Sequence, residues 1–192
     1  MGVKKRVEKR QTEKMSDSAF KMMAFTFKIV DLIFPYIKRR IRKFGIEEGM
    51  TVVDYGCGPG RYSTRFAEIV GEKGKVYALD IHELAIEAVR KKIEKHNIGN
   101  IKPILIQGYN STLSDNAADV VCAIDMFWII KKPTEFLEEL RRIIKRDGIL
   151  LVDDGHAPRE ETRDKILNSG IWKIVEETKD HLKCKPTYER GR

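Results

Sequence analysis

The stretch Val52-Val53-Asp54-Tyr55-Gly56-Cys57-Gly58-Pro59-Gly60 decides the fold. Thr51 to Tyr55 is a short apolar run of strand character, and Gly60 to Val70 has the apolar spacing of an amphipathic helix, so the three glycines fall in the turn between them. Glycine admits positive φ and lets a ligand approach main-chain N–H groups near the positive end of the following helix. A dinucleotide fingerprint needs Gly-x-Gly-x-x-Gly, but the residue three after Gly58 is Arg61; the spacing is Gly-x-Gly-x-Gly. An ordinary tight turn is the plainer reading, and Asp54 inside the strand end favours a ligand loop over it.

Working outward, short apolar runs alternate with charged amphipathic stretches, the pattern of repeated strand, helix, strand units. Strands are predicted at Lys75 to Asp80, Lys102 to Gln107, Asp119 to Ile124 and Ile149 to Asp153, with helices at Glu83 to His96, Pro133 to Arg146 and Pro158 to Asn168. Trp172 to Thr178 and His181 to Lys185 read as a closing hairpin. Asp80 ends the second strand 20 residues after Gly60, where a carboxylate can accept both hydroxyls of a ribose. Upstream, apolar residues at helical spacing from Ser18 to Phe44 predict two helices broken at Pro35, with Ser16, Asp17 and Ser18 available as N-caps. The chain thus divides into a basic flexible tail (1–15), a helical cover (16–45) and an α/β body (46–192).

The glycine loop, Ala78-Leu79-Asp80, Ala118-Asp119-Val120-Val121 with Asp125 behind it, and Leu140 to Gly148 leading into Ile149 to Asp153 resemble the motifs of class I S-adenosylmethionine-dependent methyltransferases. The likeness is to methyltransferase type 11, the group containing the ubiquinone and menaquinone C-methyltransferases, and covers about residues 46 to 186. The resemblance implies a Rossmann-like, mostly parallel seven-stranded sheet with helices on both faces, in the order 3-2-1-4-5-7-6 with the last strand antiparallel. It implies S-adenosylmethionine as cofactor and S-adenosylhomocysteine as product. Gly56, Cys57, Gly58 and Gly60 would border the methionine part, Asp54 would orient the loop, Asp80 would bind the ribose hydroxyls and Ile81 would cover the adenine. Asp125 and Met126 would line the methionine side near the transferred methyl. The sequence departs from the family at Tyr109, which stands after Gly108 where an aspartate commonly accepts from the adenine amino group. Asn110, one residue on, offers an amide oxygen in its place.

Methyl transfer from a sulfonium is an in-line displacement, so alignment and exclusion of water matter more than a base. If the acceptor must lose a proton, the candidates are Asp125, Asp154 and His156, which follow the fourth and fifth strands. Asp153-Asp154-Gly155-His156 also holds possible metal ligands, but no second cluster supports a metal, and none is expected. His82, His96 and His181 are expected at the surface, and Phe127 and Trp128 face either the core or the acceptor.

Composition narrows the function. The 192 residues carry a net charge of +8, of which +7 lies in residues 1–48 and +1 in the remainder, so the body has no composition for a nucleic-acid face. Cys57, Cys122 and Cys184 are scattered, which fits a reducing cytoplasm. Phe20 to Ile37 contains Lys21, Lys28 and Asp31 and is not expected to span a membrane. The Met- and Phe-rich cover suits a small hydrophobic or aromatic acceptor, and Lys38, Arg39, Arg40, Arg42 and Lys43 give it a basic flank for peripheral membrane contact or a solvated helix face. An RNA or protein methyltransferase, a non-catalytic cofactor-binding protein and a nicotinamide enzyme are the alternatives.

Overall fold

The computed structural model describes residues 13–33 and 36–188. Most of the expected basic tail, the break at Pro35 and the last four residues lie outside that range. Strand β1 (Thr51–Tyr55) is central, pairing in parallel with β2 (Lys75–Asp80) on one side and β4 (Ala118–Ala123) on the other. With β3 (Ile101–Leu105), β5 (Ile144–Val152), β6 (Trp172–Glu177) and β7 (Leu182–Pro186), the sheet has the order β3-β2-β1-β4-β5-β7-β6, and β7 runs antiparallel to both neighbours. This is the expected order and sense.

Both faces of the sheet are covered, so β1 is apolar on both. Side chains alternate across a strand: Val52 packs with Ile86, Val89 and Phe66, while Val53 packs with Phe136, Leu137 and Leu140 on the other face. Helices α3 (Arg61–Val70) and α4 (Glu83–His96) cover the first face, and α5 (Pro133–Ile143) and α6 (Arg159–Leu167) the second. The chain leaves β1 toward β2 and returns as β4 on its other side. The crevice beyond the C-terminal ends of β1 and β4 is the topological switch point where open α/β sheets bind ligands.

The boundaries of β5 and β3 differ from the sequence reading for physical reasons. Strand β5 begins at Ile144, directly after α5, because Ile144 pairs with Ala118 and is fully buried; four residues then bulge before Ile149 pairs with Val120. Gly148 is required in this bulge, since a Cβ would lie 2.6 Å from Ile144 Cγ1 and 2.9 Å from the Asp119 carbonyl oxygen. Strand β3 stops at Leu105, short of the expected Gln107.

The segment before the body forms α1 (Asp17–Ile33) and α2 (Tyr36–Ile41). Ser16 Oγ accepts from the Ala19 N–H at 3.3 Å, an N-cap contact. No helix among the described residues is long and apolar enough to cross a membrane. Two histidines expected at the surface are buried. His82 caps α4 through Nδ1, which accepts from the Leu84 N–H, and its ring lies 4.5 Å from that of Phe20; His181 packs edge-on against Phe44. Both occupy turn positions where a polar residue reads as exposed, and each is covered by the N-terminal segment, whose docking leaves no local periodicity. His96 is exposed as expected.

Candidate active site

The glycine loop folds back over the end of β2: the N–H groups of Gly56 and Cys57 both donate to the Leu79 carbonyl oxygen, at 2.8 and 2.9 Å. Gly56 has φ of 75° and supports Met126, whose Cγ would lie 2.8 Å from a Cβ at that position. Gly60 has φ of 74°, and a Cβ there would lie 2.9 Å from Val89 Cγ2, so its role is close packing of the start of α3 against α4. Asp54 sits behind the loop, fully buried, and accepts from Ser63 Oγ at 2.5 Å. Burial pushes its carboxyl up to about 7, while the Ser63 bond works the other way. Burial first, then Asp54 and Asp80, push the Cys57 thiol well above its ordinary value, which leaves it a protonated packing residue.

Gly56, Cys57 and Gly58 form one wall of a cavity of about 940 Å³ including its open mouth, whereas Asp54 and Gly60 do not reach it. Asp80 projects into the cavity, with Oδ2 accepting from the Gly58 N–H at 2.9 Å and Oδ1 from the His82 N–H at 2.8 Å. Burial raises its carboxyl above the ordinary range against the pull of those N–H bonds. Each oxygen keeps acceptor capacity for a further donor. Ile81, Ile106 and Tyr109 supply an apolar slot beside it. Tyr109 is tied down at its hydroxyl, which donates to Glu13 Oε1 and accepts from the Lys132 N–H. Asn110 does not substitute for the missing aspartate. It lies outside the cavity wall, and its Oδ1 already accepts from the Thr112 N–H at 2.9 Å, a local Asx turn.

At the opposite end stand Asp125 and Met126. Asp125 is a non-glycine residue with φ of 61°, a sparsely populated conformation that persists only where surroundings over-determine it. Here Asp153 Oδ1 accepts its N–H at 2.8 Å, while Arg40 Nη1 and the Tyr62 hydroxyl each donate to its carboxylate at 3.3 Å. Arg40 is 5% exposed and also donates through Nη1 to the Tyr62 oxygen and through Nη2 to Asp153 Oδ2 and the Asp180 carbonyl. Burial opposes its charge, yet Tyr62, Asp153 and Asp125 outweigh that, and the guanidinium is held above its already high value. Arg40 and Tyr62 escaped the sequence reading, in which Arg40 was one of five basic residues on a flank. Helical phase carries the signal: Ile37, Arg40, Ile41 and Phe44 share one buried face, and Lys38, Arg39, Arg42 and Lys43 are exposed.

The other two candidate bases lie outside the cavity wall. Both oxygens of Asp154 accept from the Arg159 guanidinium, at 2.8 and 2.7 Å, and His156 is exposed with its ring edge-on to Trp128. Asp153, Asp154 and His156 therefore serve three separate partners. Phe127 is core, and Trp128 packs over Gly155 away from the cavity.

Helix α1 roofs the cavity with Phe20, Met23 and Phe27. Arg61 fixes it: its guanidinium lies 3.9 Å from the Phe27 ring centre and donates to both oxygens of Asp31, at 2.8 and 2.6 Å. Glu13, Lys14 and Met15, expected to belong to the tail, also form wall. Glu13 accepts from the Lys131 N–H at 2.8 Å, and Lys14 pairs with Glu83.

These groups fit S-adenosylmethionine. A half-buried carboxylate suits paired hydroxyls, the slot beside it suits a flat base, and a second carboxylate at the far end suits a cationic centre. A family described as a methyltransferase domain matches residues 46–190. The curated ubiquinone/menaquinone biosynthesis C-methyltransferase UbiE of Shewanella piezotolerans is 25% identical over 178 residues, covering 89% of this chain and 71% of that protein. A SAM-dependent methyltransferase from Aquifex aeolicus superposes with a TM-score of 0.70 at 28% identity over 90% of this chain and 98% of that one. A putative S-adenosyl-L-methionine-dependent methyltransferase from Methanococcus maripaludis shares the fold, with a TM-score of 0.75 at 18% identity over 94% of this chain and 98% of that one. The chain belongs to the methyltransferase-domain family and is an S-adenosylmethionine-dependent methyltransferase.

Proposed function

We propose that the methyl acceptor is a small apolar or aromatic molecule that lies beneath α1 with its reacting atom toward Asp125. The observation that carries this reading is the apolar make-up of the cavity lining outside the glycine loop: Phe20, Met23 and Phe27 from α1, with Ile124, Ile129 and Ile130 from the body. S-adenosylmethionine supplies a methyl group on a cationic sulfur. The chain's own residues do the rest. Asp80 accepts the ribose hydroxyls, Ile81 and Tyr109 flank the adenine, and Gly56 to Gly58 present main chain to the methionine portion. Asp125, whose side chain is 42% exposed at the cavity, faces the cationic centre and takes a proton from a phenol or activated carbon acid. The roof excludes water from the displacement. The quinone-biosynthesis name of the curated relative supports an aromatic acceptor of that kind.

The test is a panel assay with deuteromethyl S-adenosylmethionine against hydroquinones, phenols, bulk RNA and protein, read by mass spectrometry. Labelled product from an apolar aromatic, reduced at least tenfold in Asp125→Asn, is the expected result. Label confined to RNA or protein would overturn the reading.

A second observation favours contact with an anionic bilayer surface during acceptor capture. Met22, Phe25 and Ile29 are 72%, 65% and 43% exposed and fall on one outward stripe of α1, flanked by Lys21 and Lys28. Cosedimentation with phosphatidylglycerol vesicles, lost in Phe25→Ser, is the expected result; equal recovery of both proteins in the supernatant would refute it.

A further inference from the structure

Arg40 lies outside the cavity wall, yet it fixes the residue that faces the reacting end. Its fork reaches from α2 to the ends of two strands, holding Asp153 Oδ2 at 2.6 Å and Asp125 Oδ1 at 3.3 Å. Asp153 in turn holds the Asp125 backbone N–H at 2.8 Å, so Arg40 grips Asp125 directly by its carboxylate and indirectly by its main chain. Tyr62, itself bonded to Arg40 at 2.7 Å, takes the other carboxylate oxygen. Among the described residues, every hydrogen bond to the Asp125 carboxylate or its N–H thus includes Arg40 or a partner of Arg40. The left-handed backbone of Asp125 needs such support.

We propose that Arg40 is a positioning residue for methyl transfer: seated from the helical cover, it aims the Asp125 carboxylate at the cationic centre, so that docking of α2 and completion of the site are one event. This rests on the reading of Asp125 given above. Buried Asp153 beside Asp125 has its carboxyl raised, by burial first and by Asp125 next, with Arg40 pulling it down. Without the guanidinium, the hydrogen bonds that fix both carboxylates are lost.

A double-mutant cycle with S-adenosylmethionine as probe tests this, with affinities measured by calorimetry for wild type, Arg40→Met, Asp125→Asn and the double variant, each verified as folded by circular dichroism. Arg40→Met is expected to weaken binding about tenfold in the wild-type background, the scale of one hydrogen bond to a charged group, and less than twofold in the Asp125→Asn background. Equal losses in both backgrounds would make Arg40 a general structural support and overturn the proposal, as would undiminished binding by folded Arg40→Met. Asp125→Asn binding as tightly as wild type would instead overturn the reading of Asp125. If Arg40→Met does not fold, Arg40→Lys, whose single ammonium cannot span Asp153 and Asp125, is run through the same cycle with the same criteria.

Discussion

Arg40 Nη2 stands 2.6 Å from Asp153 Oδ2 although 113 residues separate them in the chain, and both side chains are buried. A buried pair of this kind is most sensitive to loss of one member, which leaves an unpaired charge in the interior at a cost of about 3 to 5 kcal/mol. Arg40→Met is therefore expected to lose stability on that scale in urea unfolding, and Arg40→Met/Asp153→Asn to recover more than half of it. A single variant as stable as wild type would show the pair to be energetically idle.

Gly56 combines a φ of 75° with a Met126 contact that leaves no room for a Cβ. Gly56→Ala is expected to cost at least about 1 to 2 kcal/mol and to weaken cofactor binding, because the loop must shift to relieve either conflict. Gly99, where a Cβ would meet no atom of the described residues within 4 Å, provides the control: Gly99→Ala should leave both properties unchanged. Thermal melting and calorimetry measure the two.

Asp80 gives cofactor binding a pH dependence. Its carboxyl lies above the ordinary range because burial favours the neutral form, and protonation removes acceptor capacity toward the ribose. Affinity should hold at neutral pH and fall on acidification earlier than an ordinary carboxylate would allow. Asp80→Asn is expected to bind about 10- to 100-fold more weakly at pH 7.5 and to lack that acid limb. An acid limb retained in the variant would assign it elsewhere.

His181 should govern part of the acid stability. Burial, with Lys183 and Arg40 adding, holds its imidazole down at about 4, while Glu176 and Asp180 oppose them. Between that value and the unfolded value of about 6.5, the unfolded chain binds the extra proton, so stability present above pH 6.5 declines as the pH falls toward 4, by up to about 3 kcal/mol. Asp54 titrates with the opposite sign, since its carboxyl is pushed up to about 7. The comparison of wild type with His181→Asn isolates the histidine: the variant should lose less stability than wild type between pH 7 and 5.

The alternation of strands and helices and the ligand edge were legible because they rest on local signals: apolar runs, the spacing of Gly56, Gly58 and Gly60, and Asp80 at a strand end; the strand order followed only from the family resemblance. Where Asn110, Asp154 and His156 point was not, because each is claimed by a neighbour or by solvent: Thr112 for the amide, Arg159 for the carboxylate, and Trp128 with solvent for the imidazole. Arg40 was hidden for the converse reason. Within a run of basic residues only helical phase marks it as inward-facing, and its acidic partners come from strand ends far along the chain. The strand bulge at 145–148 escaped because Ile144, read as the continuation of α5, satisfies a tertiary pairing with Ala118.

The most direct test of the account is a calorimetric titration of the wild-type protein with S-adenosylhomocysteine, repeated on folded Asp80→Asn and Gly56→Ala. The expected result is one site per chain, competed by S-adenosylmethionine and weakened in both variants. Absence of binding by folded wild-type protein, or binding of equal strength in all three, would contradict the placement of the cofactor between the glycine loop and Asp80.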